Sequence, residues 1–541
     1  MVSNSVIPAR QAWWSASEAP RSGEAALREQ LLRLYEPCAL VRGEQGLAVA
    51  GPGQMHEHQV PGSLPLAGWV NALGPEQLGD PGFLSTHGVR YAYVAGAMAN
   101  GIASAELVEA MARDGLLAIF GAAGLSPRRV EETIVRLKAL GDAPYGFNLI
   151  HSPNETGLED AIVDLYLKHG VRRVCASAFL TLTLPLVRYR LSGISRASDG
   201  SIHTPQHVLG KVSRLEIARK FLSPAPDAML RTLVEQGALT PEQAELAARV
   251  PIAEDLTGEA DSGGHTDNRA LVTLLPSLLC LRDELQEQHR YQRPLRVGAA
   301  GGIATPLSAA AAFAMGADYI LTGSVNQGCV EAGTSPVVKE MLAQASQADV
   351  NMAPAADMFE MGVKVQVLKW GTMFPVRARK LYELYRAYDS LEGLPAGERA
   401  TLERDYFRCS LEQEWQNTRK FFLERDPRQV ERAEVEPKHK LALVFRSYLG
   451  RASGWANAGD PTRKVDYQIW CGPAMGAFNE WTAGTFLANL AERKVATVAT
   501  NLMFGAAYRT RIHWLQSQGV RLPASVQAFQ PMPVGELLRE R

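Results

Sequence analysis

The segment EADSGGHTDNR, residues 259–269, places His265 directly behind Gly263 and Gly264. Glycine lets backbone come close to a flat or charged ligand because it carries no side chain. Histidine titrates near neutral pH and can therefore act as a general acid or base. The segment predicts either a catalytic histidine beside a ligand or an ordinary turn, and both interpretations stay open on these residues alone.

Two further glycine-containing turns, AAGGIATP (299–306) and LTGSVNQ (321–327), each follow a predicted strand. Backbone N–H groups in such turns can converge on a phosphate, whereas each glycine pair taken alone favours a simple tight turn. The occurrence of both turns after strands favours the phosphate site. The residues concerned are Gly301, Gly302, Gly323 and Ser324. No GxGxxG or GxxxxGK[ST] pattern is present, so a tightly held dinucleotide or ATP is not indicated.

Small and polar residues stand at other predicted strand ends. The small residues of AGAMANG (95–101) would let a flat ring lie against backbone. Asn148 lies in the apolar strand GFNLI, where its amide needs partners, either a ligand or a core hydrogen bond. Lys211, in GKVSR, either meets an anion or an electron-rich ring or lies on the outer surface.

A regular alternation of strands and helices would position these residues. Short apolar or β-branched runs alternate with helical patterns from about residue 90 onward. The predicted strands are Tyr91–Ala95, Leu116–Phe120, Gly146–Ile150, Val171–Ser177, His207–Val212, Val250–Ile252, Leu295–Ala299 and Tyr319–Leu321. The pattern predicts an α/β fold, a (β/α)8 TIM barrel over residues 81–335, with an open doubly wound sheet as the alternative. Such barrels bind ligands at the C-terminal ends of their strands, often with a phosphate after strands seven and eight.

The regions on either side of the predicted barrel differ in composition. Residues 1–80 are rich in Gly and Pro and predict a small irregular N-terminal subdomain. After residue 336 the strand signals fade, and a mainly helical second domain is predicted over 336–541. Its helical patterns cover residues 377–393, 411–426 and 482–494, and the aromatic segment YQIWCGPAMGAFNEW (467–481) interrupts them.

Composition limits the classes of function. Of the 541 residues, 46% are hydrophobic and 21% are charged, with 56 Lys+Arg against 57 Asp+Glu and a net charge of -1. This balance gives no electrostatic basis for binding nucleic acid or a membrane. The N-terminus lacks an apolar signal core and no apolar run could span a bilayer, so a cytoplasmic protein is expected. The six scattered cysteines form no CxxC pair, so neither a metal site nor a disulfide framework is expected. The oligomeric state stays open, with a homodimer as one arrangement.

The motifs together resemble a known group of barrels. VAGAMANGIAS, GFNLI, SGGH, AAGGIATP and TGS occur in the order found in the FMN-dependent nitronate monooxygenase and enoyl reductase superfamily. The longer segments DSGGHTDNR, GAAGGIATPLSAAAAFAMGADYILTGSVNQ, DMFEMGVKVQVLKWGTMFP and YQIWCGPAMGAFNEW are similar to PfaD-type trans-acting enoyl reductases. Those enzymes serve polyunsaturated fatty acid synthases and polyketide synthases that lack integrated acyltransferases. The similarity covers nearly the whole chain beyond about residue 30 and includes the helical region.

The resemblance implies an activity and a set of site residues. NADPH would reduce bound FMN, which would pass hydride to the α,β-double bond of an acyl thioester carried on an acyl carrier protein. His265 would be catalytic, as hydrogen-bond donor or proton source for the enolate. Its acidic neighbours Asp261 and Asp267 would either orient it or only form hydrogen bonds within the turn. The residues implied to bind the cofactor are Ala95, Gly96, Ala97, Met98, Asn148, Lys211, Gly263, Gly264, Gly301, Gly302, Gly323 and Ser324.

Two other functions stay open. A nitronate monooxygenase would share the flavin and the histidine but use oxygen on a small substrate, and a non-catalytic barrel would only dock in a synthase complex. A carrier-protein substrate needs a docking surface, and carrier proteins are generally acidic. The basic helix VRARKLYELYR (376–386), with Arg377 and Lys380 on one face, is the predicted docking patch, and an ordinary solvated helix face is its alternative.

Overall fold

A computed structural model of the protein describes residues 11–152 and 157–539. The predicted terminal regions extend to residues 1–10 and 540–541, which lie outside the described residues. The chain forms two compact units. The first combines Met1–Leu78, Thr305–Ala314 and Thr497–Arg541, and the second combines Gly79–Ala304 with Met315–Ala496. The predicted domain boundaries at residues 80 and 335 stay a prediction.

The described residues contain both strands and helices throughout. The strands are β1 (Trp13–Ala16), β2 (Arg21–Ser22), β3 (Cys38–Gly43), β4 (Gly46–Val49), β5 (Gly53–His56), β6 (Leu64–Val70), β7 (Tyr93–Ala95), β8 (Leu117–Phe120), β9 (Tyr145–Ile150), β10 (Arg173–Ser177), β11 (Ser195–Arg196), β12 (Ile202–His203), β13 (His207–Val212), β14 (Asp255–Glu259), β15 (Gly264–His265), β16 (Arg296–Ala300), β17 (Ile320–Thr322), β18 (Val350–Pro354) and β19 (Lys364–Leu368).

The α-helices are α1 (Glu24–Leu32), α2 (Pro81–His87), α3 (Ala105–Arg113), α4 (Pro127–Leu137), α5 (Leu158–His169), α6 (Leu184–Leu191), α7 (Leu215–Leu222), α8 (Asp227–Glu235), α9 (Pro241–Ala247), α10 (Leu271–His289), α11 (Pro306–Ala314), α12 (Ser324–Gln327), α13 (Pro336–Ala343), α14 (Phe374–Ala387), α15 (Ala396–Thr401), α16 (Leu411–Arg425), α17 (Pro427–Val435), α18 (Pro437–Ala458), α19 (Ala474–Thr482), α20 (Val495–Ser517), α21 (Ala524–Gln527) and α22 (Val534–Leu537). Short 3-10 turns lie at Pro75–Gln77, Lys138–Leu140, Pro461–Asp466, Phe486–Ala488 and Leu490–Glu492, and a π-helix at Leu402–Phe407. Within the described ranges, no helix is both long enough and apolar enough to cross a membrane.

Eight parallel strands close into a barrel in the order β10-β13-β14-β16-β17-β7-β8-β9. The predicted TIM barrel is therefore confirmed, and the open sheet is excluded because the first and last strands are paired. The helix starts follow from local sequence. Ser104 and Ser126, for example, each accept a hydrogen bond from a backbone N–H of the first turn of α3 and α4.

The sixth barrel strand corrects the sequence prediction. Val250–Ile252 is not a strand, and Asp255–Glu259 (β14) takes that place in the barrel. The strand was missed because Asp255 is polar yet fully buried, which hides the apolar pattern. His87 Nε2 lies 2.9 Å from its carboxylate, and Arg296 Nε donates to it at 2.6 Å. The pKa of Asp255 is held low because these partners outweigh the effect of its burial.

The N-terminal region of the first unit corrects a second expectation. Instead of an irregular subdomain, it forms a six-stranded antiparallel sheet in the order β2-β4-β3-β6-β1-β5. Its small core contains Trp14, Val41 and Ala48. The strands were hidden because β6 contains Pro65 and Gly68, which weaken a strand pattern although they are tolerated in the ladder.

The rest of the second unit is mainly helical, with its own apolar core. The three-stranded sheet β15-β19-β18 brings residues of β15 into register with β19, and α14 to α18 follow. The core of this helical region includes Phe374, Trp415 and Tyr448. Two predictions are corrected here. The segment expected to interrupt the helices holds α19, and residues 482–494 form 3-10 turns instead of a helix, since Gly484 adopts a left-handed φ of 72°.

Candidate active site

The C-terminal ends of the barrel strands surround a cavity of about 150 Å³. Most residues predicted for the site line it together. These are Ala97, Met98, Asn148, Lys211, Gly263, Gly264, His265, Gly301, Gly302, Gly323 and Ser324. Among the described residues, Ala95 and Gly96 are not part of this lining: Ala95 is fully buried, and a Cβ on Gly96 would lie 2.4 Å from Leu321 Cδ2. The backbone that follows β7 therefore lines the cavity only from residue 97 onward.

The turns after β16 and β17 present bare backbone to the cavity. A Cβ built on Gly302 or Gly323 would have no heavy atom within 4 Å, so each glycine borders open space. Gly301 is different, because its φ is 88° and a Cβ there would lie 2.8 Å from the backbone nitrogen of Asp261. Gly301 thus permits two loops to touch, while Gly302 and Gly323 leave room for a ligand.

Gly263 and Gly264 position the histidine by admitting a neighbouring segment. A Cβ on Gly263 would lie 2.9 Å from the backbone nitrogen of Cys471, and Gly264 has a φ of 83°. Gly264 and His265 then pair in antiparallel register with β19, His265 opposite Val365. The absence of a side chain at Gly263 therefore permits close packing against residue 471, and His265 is held by strand pairing.

His265 forms an ion pair that sequence reasoning missed. Its Nε2 lies 2.9 Å from Oδ1 of Asp357, and the two side chains are 30% and 41% exposed. Burial lowers the pKa of His265, but the Asp357 carboxylate and Glu259 more than offset this, so the pKa lies above its ordinary value. Asp267, one of the two carboxylates expected to orient the histidine, instead accepts hydrogen bonds from Ser213 and Arg214.

The other predicted orienting residue, Asp261, is also not the partner of His265. It lines the cavity, and burial raises the pKa of its carboxyl group, while a hydrogen bond with Gln366 lowers it. Asp357 is 92 positions from His265 in the chain. The one signal in the sequence is that Asp357 begins DMFEMGVKVQVLKWGTMFP, a segment whose resemblance to the family assigns no role to the carboxylate.

Lys211 and Asn148 both line the cavity. Lys211 Nζ donates to Glu259 Oε1 at 2.8 Å, and both side chains are largely buried. Burial lowers the pKa of Lys211, but Glu259 and Cys175 raise it, and the net shift is upward. Asn148 Nδ2 donates to the carbonyl of Cys175 at 3.0 Å and to Ser177 Oγ at 3.1 Å. The amide nitrogen is thus satisfied by the core, and Lys211 faces the cavity as an ion-paired cation.

A second, larger cavity of about 530 Å³ adjoins the first. The two share lining residues, among them Asn148, Ile150, His265 and Trp470. Asp357 belongs to the lining of the larger cavity. The imidazole of His265 therefore stands at the junction of the two cavities, with its carboxylate partner on the side of the larger one.

The predicted docking patch on α14 is occupied by intramolecular pairs. Arg377 is only 18% exposed, forms an ion pair with Asp466 and donates to the carbonyl of Asp405 at 3.0 Å. Lys380 Nζ lies 2.6 Å from Glu398. Both cations are thus neutralised by acidic partners within the helical region itself, which argues against this patch as the docking surface.

The chain is similar to proteins of polyunsaturated fatty acid and polyketide biosynthesis. Residues 388–467 match a family described as [Acyl-carrier-protein] S-malonyltransferase, inserted helical domain. The chain is 48% identical over 469 residues to one subunit of the polyunsaturated fatty acid synthase of a Thraustochytrium species, covering 85% of this chain and 31% of that protein. It is 46% identical over 430 residues to polyketide biosynthesis protein PksE of Bacillus subtilis, covering 79% of this chain and 56% of that protein. The chain thus spans just under a third of the first relative and just over half of the second.

A solved structure matches over nearly its full length. The enoyl reductase domain of MlnA, from the macrolactin biosynthesis cluster of Bacillus amyloliquefaciens, is 40% identical, with a TM-score of 0.77. The match covers 82% of this chain and 98% of that domain, so barrel and helical region are both included. The chain belongs to the family of this domain, the enoyl reductases associated with polyketide and polyunsaturated fatty acid synthases.

Proposed function

We propose that this protein is an FMN- and NADPH-dependent enoyl reductase acting on α,β-unsaturated thioesters carried by an acyl carrier protein. The single observation that carries the proposal is the position of His265 at the junction of the two cavities. A proton source at that point serves a reaction between a cofactor in one cavity and a substrate in the other. Family membership supports the same reaction, because the matched domain of MlnA is named an enoyl reductase.

The residues of the smaller cavity suit FMN. The open space at Gly302 and Gly323 would accept the phosphate against bare backbone, and Ser324 adds a hydroxyl to the same lining. Lys211, kept protonated beside Glu259, would offer positive charge to the electron-rich edge of the ring. Ala97 and Met98 would supply a flat backbone surface. When bound, FMN would supply the hydride transfer from NADPH to the β-carbon of the substrate.

His265 completes the reaction by supplying the proton. When hydride reaches the β-carbon, the electron pair of the double bond moves to the thioester and negative charge develops on its oxygen. A protonated imidazole near that oxygen stabilises the charge and then delivers a proton to the α-carbon, so that the double bond is saturated. Asp357 favours the protonated imidazole, since it raises the pKa of His265 above its ordinary value. The imidazole must regain its proton from solvent after each turnover.

The test compares two reactions of the FMN-reconstituted protein. We expect NADPH to be oxidised with crotonyl-acyl carrier protein, yielding the butyryl thioester by mass spectrometry. A nitronate should be consumed far more slowly. Oxygen-dependent consumption of the nitronate without reduction of the thioester would establish a nitronate monooxygenase instead. A protein that stays colourless after incubation with FMN would support the non-catalytic docking role.

A further inference from the structure

The larger cavity has two chemically different walls. Mainly apolar side chains at the ends of the barrel strands and on α5 form one wall, including Leu125, Ile150 and Ile162, although Asn148 and Glu159 lie among them. The other wall is a stripe on α18, whose polar members are Arg446, Ser447, Arg451 and Ser453, with Gly450 between them. Separations of three or four residues, as between Ser447 and Arg451 or Gly450 and Ser453, place the stripe on one side of the helix. A ligand that fits this cavity therefore has one apolar edge and one edge rich in hydrogen-bonding groups.

A buried carboxylate organises the polar wall. Glu414 on α16 is 1% exposed, and its Oε1 accepts hydrogen bonds from Ser447 Oγ and from Arg451 Nη2, both at 2.6 Å. Arg451 Nε also donates to the carbonyl of Ser447 at 3.3 Å. Burying an ion pair seldom stabilises a fold more than apolar residues of similar volume would. The pair with Glu414 fixes the orientation of Arg451, whose side chain is 40% exposed. A guanidinium has five N–H donors, so further donors of Arg451 are available beside the cavity.

The cavity reaches solvent along the outer side of α16. Asn417, Phe421 and Arg425, spaced four residues apart, line it and are exposed. A substrate held on a carrier protein cannot bring its carrier into the barrel. Its flexible arm must therefore run from the reacting thioester near His265 to an open mouth such as this one.

We infer that the polar stripe on α18, organised by Glu414, binds the pantetheine arm of the carrier-bound substrate. This inference rests on the proposed function. The arm has two amides and a hydroxyl that would meet Ser447, Arg451 and Ser453, and its gem-dimethyl and methylene groups would face the apolar wall. Arg425 at the mouth suits the phosphodiester that joins the arm to the carrier. The arm is common to all carrier-bound substrates, so this wall recognises the carrier and not a particular acyl chain.

The test separates the arm from the acyl group. Butyryl-pantetheine and butyryl-N-acetylcysteamine carry the same acyl chain, but the second lacks the hydroxyl, the gem-dimethyl group and one amide. Their binding to the FMN-loaded protein is measured by calorimetry for the wild type, for S447A and for the charge-neutral double variant E414Q/R451Q. The control E392Q/K440Q removes another ion pair of α18, Lys440 with Glu392 at 3.2 Å, that is not part of the cavity lining.

We expect E414Q/R451Q to weaken binding of butyryl-pantetheine by about tenfold or more, because a charged hydrogen bond is lost. S447A should weaken it less, and the truncated thioester should be affected by less than about twofold in every variant. The control should match the wild type with both ligands. Three results would each overturn the inference. The variants could weaken binding of both ligands equally, they could leave binding of both unchanged, or the loss could depend on acyl length among thioesters that share the same pantetheine arm. A wild-type protein that binds the arm selectively but reduces no enoyl thioester would refute the proposed function and leave this inference standing.

Discussion

Replacing Asp357 by Asn tests whether the histidine acts as an acid tuned by its partner. The substitution keeps the size of the side chain and an oxygen in hydrogen-bonding reach of His265, but it removes the negative charge 2.9 Å from Nε2. Asp357 raises the pKa of His265, so its loss lowers that pKa. The imidazole of D357N should therefore lose its proton at a lower pH than that of the wild type.

The magnitude follows from the distance and the exposure of the pair. Two unit charges about 4 Å apart attract by about 1 kcal/mol in water and by about 4 kcal/mol at the effective dielectric constant typical of a protein surface. Because the two side chains are 30% and 41% exposed, solvent screening favours the lower part of this range, about 1–2 kcal/mol. That energy corresponds to a decrease of about 5- to 30-fold in the protonated fraction of His265 when the pH lies above its pKa.

The assay is the pH dependence of kcat/KM for crotonyl-pantetheine with FMN-loaded enzyme. At acidic pH, where both proteins hold a protonated imidazole, D357N and wild type should agree. With rising pH the variant should lose activity first, until the difference reaches about 5- to 30-fold. A loss of the same size at every pH would refute the reasoning, since it would point to displaced geometry. In the H265A background D357N should have no further effect, and an additional loss there would show that Asp357 acts on its own.

Three further expectations follow. G302V should release FMN, measured as flavin absorbance per protein, because the valine side chain would fill the open space at Gly302. The control G237V should retain FMN, since Gly237 has the same left-handed φ of 70° but lies outside the cavity lining. H265A should keep FMN and its reduction by NADPH but lose enoyl reduction by about 100-fold or more, and an unchanged turnover would exclude a catalytic role. His207 has a pKa lowered to about 3, with burial as the main cause, so the unfolded chain binds its proton between that value and the ordinary pKa near 6.5. The thermal midpoint should fall as pH decreases through this interval, and H207N should flatten that dependence.

The barrel and its glycine turns could be predicted because their signals are local. Strands such as β13 (His207–Val212) are apolar runs bounded by loops, and the glycines at 301–302 and 323 follow strands directly. The barrel strand β14 was not predicted because Asp255 is buried in an ion pair with Arg296. Sequence periodicity cannot reveal that a charged residue is neutralised by a residue of another strand. Hydrophobic patterns report burial only where burial and apolarity coincide.

The unpredicted half of the His265–Asp357 ion pair has a similar cause. His265 could be singled out because the preceding glycines are unusual, but Asp357 becomes its partner only through the pairing of β15 with β19. The larger cavity depends on α16 and α18 meeting the barrel, which tertiary packing decides. In the same way, the basic residues Arg377 and Lys380 looked available on a helical face until their acidic partners folded against them.

The helical region begins and ends at the same strand. Leu368 N–H donates to the carbonyl of Ile469 at 2.8 Å, and Val367 forms an antiparallel bridge with Trp470. The segment of about a hundred residues between these positions therefore starts and finishes at neighbouring points beside β19. When the two ends of a segment lie close together and are hydrogen-bonded, another segment can replace it without changing the connectivity of the adjoining strands. A different helical segment could therefore replace the one between residues 368 and 469, in evolution or by design, and change which molecules enter the cavities beside His265.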